Sequence, residues 1–479
     1  MPSKNFTLSH ADVQMQCAKI HEIIKSKNFK EAETIATQLL DQCPDSPDAI
    51  FTLASIYQST ARYGLAIQLY TRALTMADKA VPVLNNLGGC YHQCHLGKKA
   101  LNHYMNAYNL SKGQDADVLS NLAGLYVNTN TPEKGIAFSD KAIDLKANHP
   151  NVLWNRSLLL LAMEQWQKGF EYYEAGILTG DRKNKDYGLP KWDGKHVNSL
   201  IVCGEQGIGD EIMFSSILRD LALYANNLIL DCHPRLADIL EDHDIKDIMG
   251  DACTIVPNRK VKDDNYIKTL GATAAINIGS LGSFFRHREE DFYGPNLMGK
   301  GGYIKSNPFY VAHFKDLIAK TNTDKKTTIG LSCFGGAPST RADLRSIPLE
   351  QMIPFLVQDD IHLVNLQYNV TKADLDVFYY KTGIKIHHYT TEDDFYAWTQ
   401  LANSVDLVVT VCNSMAHLCG AYGILCFCLV PMDSAWRYGL TKAKMVWYDS
   451  VNLIRQTIDD DWIDPIKTLI KKVNEYVHR

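Results

Sequence analysis

The sequence predicts an α-helical superhelix followed by an α/β fold of two Rossmann-like domains facing a cleft. Three observations predict it. Residues in the first third repeat themselves at a fixed offset of 34. Beyond about residue 180 the pattern changes to short apolar runs alternating with helical stretches. One of those runs, Leu200–Cys203, breaks into the glycine-rich turn Gly204-Glu205-Gln206-Gly207-Ile208-Gly209 and then a helical pattern, the signature of a strand feeding a tight loop and a helix N-terminus.

The bulk numbers bound the function. A chain of 479 residues is too long for one core, so two or three domains are expected. With 46% hydrophobic and 22% charged residues the composition is that of a globular protein. A formal net charge of −5 without a long basic run argues against nucleic acid as a partner. The opening Met1-Pro2-Ser3-Lys4-Asn5 lacks an apolar signal core, and no transmembrane segment is long enough to span a bilayer, so the cytoplasm is the expected compartment. Twelve scattered cysteines without CxxC spacing read as buried, reduced thiols, and no metal site is expected. Asp242-His243-Asp244 reads as a solvated polar loop.

The repeats come first. Leu53-Ala54, Tyr57, Ala66, Tyr70 and Ala73 recur as Leu87-Gly88, Tyr91, Ala100, Tyr104 and Ala107. A further unit carries Leu122-Ala123, Tyr126, Gly135 and Ala142, a weaker one Leu160, Gly169, Tyr173 and Gly176, and a frayed first one Ala32, Ala36 and Leu39. Small residues let two antiparallel helices approach closely, and each pair buries its apolar face only by stacking on the next. The pattern resembles the tetratricopeptide repeat (TPR) family over residues 48–145. Tyr57, Tyr91 and Tyr126 read as core at this spacing. Asn86 and Asn121, with Asn85, admit two readings: a ladder in a groove that holds an extended peptide, or ordinary exposed polar residues.

A charged, helix-breaking stretch over 179–190 reads as a linker. Expected strands are Ser199–Cys203, Leu228–Asp231, Ala252–Val256 and Ala275–Ile278, then, after a helix near Phe309–Thr321, Thr328–Ser332, Ile361–Leu366, Lys385–His387, Leu407–Val411 and Cys426–Leu429. The expected domains are therefore 1–180 for the repeats, 190–322 for the first Rossmann-like domain and 323–479 for the second. Ligands of such sheets bind at the carboxyl ends of strands, which selects the loops after Cys203, Ser332, Leu366 and Val411.

Three passages in those loops carry a resemblance. They are Gly204–Phe214; Ile329–Gly336 followed by Arg341-Ala342-Asp343-Leu344-Arg345-Ser346-Ile347-Pro348; and Asp406–Gly423, which contains Cys412-Asn413-Ser414-Met415-Ala416-His417. In this order, behind the repeats, they resemble TPR-bearing glycosyltransferases whose catalytic half is GT-B and heptosyltransferase-like, with a distant architectural likeness to protein O-GlcNAc transferases. The resemblance implies sugar transfer with inversion, without metal or cofactor, from a UDP-, GDP- or ADP-sugar to a protein or glycan acceptor recruited by the repeats. It implies that the first Rossmann-like domain is the acceptor side and the second the donor side. Asp210 would be the general base, with Gly207, Gly209 and Glu211 in the acceptor-facing loop. Asn413, Ser414, Met415, His417 and Gly420 would cradle the donor diphosphate, helped by Arg341 and Arg345.

That division of labour suits the chemistry. Glycosyl transfer must stabilise a departing diphosphate, which helix N-termini and cations can do, and must deprotonate an acceptor hydroxyl. The chain departs from its relatives in two places. Cys412-Asn413-Ser414 stands where many read Asp-Thr-Ser, and Cys333-Phe334 stands where many carry a cation, shifting that load to Arg341, Arg345 or Arg437. Structural readings also stand beside the functional ones. Asp210 is placed to cap its helix, His417 to be a satisfied core histidine, Arg345 to pair with Asp343 or Glu350, and Trp436 to stack on a base or sugar or to wedge the C-terminal helix. The rival function is a non-catalytic TPR scaffold whose degenerate GT-B domain binds a nucleotide sugar or a peptide.

Overall fold

The structure, a computed structural model, describes residues 8–76, 80–128, 131–257, 264–292, 302–336, 342–391, 394–457 and 461–478. The chain divides into two compact units, Met1–Leu159 and Leu160–Arg479.

The first unit is an array of helices in the TPR pattern: His10–Lys25, Phe29–Gln42, Pro47–Ser59, Tyr63–Leu74, Ala80–Gln93, Gly97–Leu110, Ala116–Asn128 and Pro132–Leu145, with Pro150–Ala162 starting the next pair. Local chemistry sets the ends. Ser9 and Asp12 form a reciprocal capping box, and Ser46 accepts from Ala49 N ahead of Pro47 at the first helical position. The small positions are small for a reason: a Cβ on Gly88 would lie 2.6 Å from the Tyr104 ring. Tyr57 and Tyr91 are half-buried against the apolar clusters of neighbouring pairs, and Tyr126 stacks on Phe138. The period also reaches the backbone. Lys27, Ala61 and His95, each in the turn between paired helices, take left-handed φ values of 62°, 59° and 61° at the 34-residue spacing, and Glu164, one residue late, takes 60°. Such values are uncommon without glycine, so the turn geometry is imposed by the packing of the pair.

The second unit contains two all-parallel sheets. β1 (Val197–Cys203), β2 (Ala225–Asp231), β3 (Cys253–Val256) and β4 (Ala274–Asn277) lie in the order β3-β2-β1-β4. β5 (Thr327–Ser332), β6 (Ile361–Asn365), β7 (Leu407–Val411), β8 (Cys426–Val430) and β9 (Val451–Arg455) lie in the order β6-β5-β7-β8-β9. Burial on both faces explains why β6, β7 and β8 read as continuous apolar runs. Strand order reverses between β1 and β4 in the first sheet and between β5 and β7 in the second, the positions at which open parallel sheets of this kind take their ligands. Two expectations need amending. Lys385–His387 contributes only an isolated bridge, His387 beside Val364, and β9 was not anticipated because Asn452 and Arg455 interrupt its apolar pattern.

Two segments expected in solvent are instead structural. In the stretch read as a linker, Arg182 and Tyr187 are buried, the Tyr187 hydroxyl donates to Asp231 Oδ2 at 2.5 Å, and Asn277 Nδ2 donates to Lys183 O at 3.2 Å. Lys191 then bridges to Ala275, and buried Trp192 packs on Phe284. Asp242-His243-Asp244 is also docked. His243 is buried, accepting from Ile245 N at 3.0 Å to cap the helix Asp244–Met249 and contacting Ser215 O at 3.0 Å. Asp244 pairs with Arg219 at 2.7 Å, and Asp242 accepts from Tyr396 at 2.5 Å. All twelve cysteines are free thiols, and Cys43 and Cys94 are the two not fully buried. No helix among the described residues is long and apolar enough to cross a membrane.

The left-handed turns give a two-signed test of the repeat geometry. Ala61 is exposed, so Ala61→Gly removes backbone strain without losing packing and raises the stability of the array by up to about 1 kcal/mol. Fully buried Ala66 lies inside the following helix, and Ala66→Gly lowers it by about 1 kcal/mol or more. Native-state hydrogen exchange of Pro47–Ser59 and Tyr63–Leu74 in the full chain measures both.

Candidate functional site

The two sheets of the second unit meet at two helix N-termini. Ile208–Ser215 follows β1, Ser414–Tyr422 follows β7, and the two helices pack directly against one another. Glycine permits this approach: a Cβ on Gly209 would lie 2.9 Å from His417 Cδ2. The contact is extended by the Tyr303 hydroxyl, which donates to Ile212 O at 2.5 Å, and by Ile304 N, which donates to Ala421 O at 3.0 Å.

Asp210 lies at the mouth of this junction. Its Oδ2 accepts from Gly207 N at 3.1 Å, capping its own helix, and its Oδ1 forms an ion pair with Arg437 from the loop after β8. The two side chains are 16% and 18% exposed, so the pair is accessible from solvent. Glu211 points elsewhere: it is buried and accepts from His233 N at 2.7 Å, fixing the end of β2.

On the other side Asn413 joins the loops after β5 and β7. Its Oδ1 accepts from Met415 N at 2.9 Å and from Thr410 Oγ1 at 3.0 Å, while its Nδ2 donates to Ser332 Oγ and Phe334 O, both at 3.0 Å. Arg345 donates to Cys412 O at 2.6 Å, which brings a second guanidinium to the same turn. Ser414 opens the helix, and Met415 is buried behind it. Arg341 lies outside the described residues.

His417 and Gly420 have structural explanations. His417 is buried with Nδ1 3.2 Å from the Tyr448 hydroxyl and Nε2 3.3 Å from the Tyr438 hydroxyl. Burial first, then the positive charge of Arg437, pushes its pKa down to about 3, so the imidazole is neutral. A Cβ on Gly420 would strike the Tyr448 ring, so glycine there serves packing. Trp436 is buried among Trp166, Phe170, Tyr173, Phe214 and Trp447; it anchors the loop that presents Arg437 and does not wedge the C-terminal helix.

Sequence reasoning missed the centre of the first sheet. At the crevice between β1 and β4, Glu205 and Arg182 form a buried two-pronged ion pair, with Nη2 2.6 Å from Oε1 and Nε 3.1 Å from Oε2. Gly279 N donates to the same carboxylate at 3.0 Å, and Arg182 also donates to Tyr173 O and Ser280 Oγ. Gln206, beside it, holds a left-handed φ of 61°. Glu205 stood in the glycine loop, but nothing in the pattern distinguished Arg182 from its charged neighbours.

In the array, Asn86 Nδ2 donates to the Tyr70 hydroxyl at 3.0 Å, and that hydroxyl donates to Gln58 at 2.8 Å. Asn121 Nδ2 donates to Asn85 Oδ1 at 3.0 Å, and Asn155 Nδ2 to Ser120 Oγ at 2.9 Å. Asn86 thus links adjacent helices, while Asn121 and Asn155 link the first helices of successive pairs. Among the described residues, no cluster of three or more His, Cys, Asp or Glu side chains is arranged to hold a metal ion.

Comparison with known proteins places the repeats. A tetratricopeptide repeat model matches residues 47–79. Protein FlbA of Caulobacter vibrioides is 24% identical over 426 residues, covering 85% of this chain and 69% of that protein. The type IV pilus assembly protein PilF of Pseudomonas aeruginosa is 24% identical over 148 residues, covering 31% of this chain and 59% of PilF. The solved PilF structure aligns at 21% identity with a TM-score of 0.31, over 37% of this chain and 78% of that one. A thermophilic TPR protein of Thermus thermophilus aligns at 14% identity with a TM-score of 0.33, over 35% and 92%. The chain carries tetratricopeptide repeats, and protein partners are the ordinary ligands of such repeats.

Two outcomes follow from the buried charges. Because folded His417 titrates near 3 and an unfolded imidazole near 6.5, the unfolded state binds the extra proton between those values. Stability therefore falls as pH drops through that window, by about 1.4 kcal/mol per pH unit from this group; His417→Gln removes that slope from urea-unfolding series at pH 7, 6 and 5. Arg182→Met strands the Glu205 carboxylate and costs about 3–5 kcal/mol, while adding Glu205→Met to it recovers much of the loss, as read in a double-mutant cycle.

Proposed function

We propose that the protein is a GT-B-type glycosyltransferase that moves a sugar, with inversion, from a nucleotide-sugar donor to a hydroxyl or amide of a protein or glycan, and that its repeats recruit the acceptor. The observation that carries this reading is the meeting of the Gly207–Asp210 turn with the N-terminus of Ser414–Tyr422, beside the crevice between β5 and β7. A carboxylate suited to take a proton and a helix N-terminus suited to an anion share one place there. The sugar's diphosphate rests on the Asn413–Met415 turn, Arg345 and Arg437 carry the cationic load, and Asp210 receives the acceptor proton. A UDP-, GDP- or ADP-sugar fits this arrangement equally, and the cytoplasm is where such donors are at hand. The identity to FlbA over 426 residues, more than the repeats alone occupy, supports reading the two units as one functional combination.

A second reading has its own observation. Asp210 is neutralised by Arg437, and the crevice of the first sheet is filled by Glu205 and Arg182. Both features suit a scaffold whose α/β unit binds a nucleotide sugar or peptide without turning it over.

Nucleotide release from a panel of UDP-, GDP- and ADP-sugars separates the two. The transferase reading expects release from at least one donor and a drop of about 10²–10⁴-fold in Asp210→Asn. No turnover with any donor, while a donor still raises the melting temperature, establishes the scaffold. Equal turnover in Asp210→Asn removes Asp210 as the base and leaves the transferase standing.

A further inference from the structure

We infer that Arg437 is the diphosphate-binding residue of this site and that Asp210 is its resident counter-ion, so that the arriving donor exchanges the ion pair and frees the base in one event. The inference rests on the donor-site reading above.

The loop carrying Arg437 is fixed, and its guanidinium pairs with Asp210 beside the Trp436 ring. Trp436 is locked in the aromatic cluster, the Tyr438 hydroxyl abuts His417, and Tyr438 O accepts from Arg455 Nη2 at 2.5 Å. The side chain between them is bonded to Asp210 through Nη2, and its buried Nε has no hydrogen-bond partner among the described residues. A buried, unpaired guanidinium donor is costly in this state. A diphosphate, with more charge and several acceptor oxygens, can bond two guanidinium nitrogens at once where the carboxylate bonds one. Asp210 meanwhile keeps its bond from Gly207 N, so losing Arg437 does not orphan it.

The exchange has a chemical consequence. While Asp210 Oδ1 is engaged by Arg437 it is not open to an acceptor proton; once Arg437 turns to the diphosphate, that oxygen is exposed to the acceptor. In the transfer step the acceptor oxygen forms its bond to the anomeric carbon and gives its proton to Asp210. The bond from that carbon to the diphosphate oxygen breaks, and its electron pair leaves on the diphosphate, whose new charge Arg437 receives. Base and leaving-group stabiliser are thus silenced by each other until a donor separates them.

The test is calorimetric binding of UDP, GDP, ADP and inorganic pyrophosphate to the full chain and to Asp210→Asn, Arg437→Gln and Arg437→Lys. Asparagine keeps an oxygen for Gly207 N, so Asp210→Asn retains the cap. Removing the competing ion pair should tighten diphosphate binding about tenfold in Asp210→Asn, even as its turnover falls. Arg437→Gln should weaken binding about tenfold or more, with Arg437→Lys in between. If Arg437→Gln does not fold, the opposite shifts of Asp210→Asn and Arg437→Lys decide. Binding that Asp210→Asn leaves unchanged or weakens overturns the exchange alone. Absence of binding of all four probes to the wild type and every variant overturns the donor site and the exchange with it.

Discussion

The close approach of two helix N-termini is the constraint on which the rest of the α/β unit depends. Ile208–Ser215 and Ser414–Tyr422 come from different sheets, and their packing leaves no room for a side chain at Gly209. Each N-terminus carries about half a positive charge, so the junction gathers like charges. Arg437 and Arg345 add two more, and Asp210 removes one. With Glu211, buried in the same first turn, the balance is positive by about one charge, and His417, enclosed at the same point, is held neutral because a further cation there would meet both burial and two guanidinium groups.

The two crevices of the unit are used differently. In the first sheet the protein fills its own crevice, where Glu205 takes the Gly279 amide that a ligand oxygen would otherwise take, and Arg182 neutralises it. A buried pair of this kind contributes little net stability against apolar residues of the same volume, but losing one partner is severe. Its effect is to fix the segment after the repeats to the first sheet and to shape the glycine loop, including the left-handed Gln206, that carries Asp210. At the second sheet the turn is capped from within, Asn413 Oδ1 accepting from Met415 N. Rigid support on one side and a charged, accessible turn on the other is an arrangement suited to binding at the second sheet.

Much of this was legible in the sequence, and the limit is physical. Repeats betray themselves because every pair must solve the same packing problem, down to the left-handed turns at Ala61 and His95. Strands buried on both faces are apolar throughout, so β7 was read to the residue; β9, with Asn452 and Arg455, was not. Asp210 is legible as a helix cap, because a carboxylate after a glycine turn at a helix start is placed to accept from that turn's amide. Its partner was not, because Arg437 lies 227 residues away and long-range pairing leaves no local pattern. Buried charge is misread for the same reason: Arg182 and His243 look solvated until their partners are in place.

The two departures from the glycosyltransferase-like pattern make sense together. A threonine at 413, as many relatives have, could accept from Met415 N, but its single hydroxyl proton could not reach both Ser332 Oγ and Phe334 O as the Asn413 amide does. Only the amide does both, so the loop after β5 is tied to the turn after β7 by a neutral hydrogen bond. A cation in place of Phe334 would not be needed to hold that loop, and the missing acid at 412 leaves the turn less negative. Both changes move the electrostatics of the crevice onto side chains outside the motif. Arg437, held on an aromatic anchor and opposed by Asp210, is the group positioned to carry them.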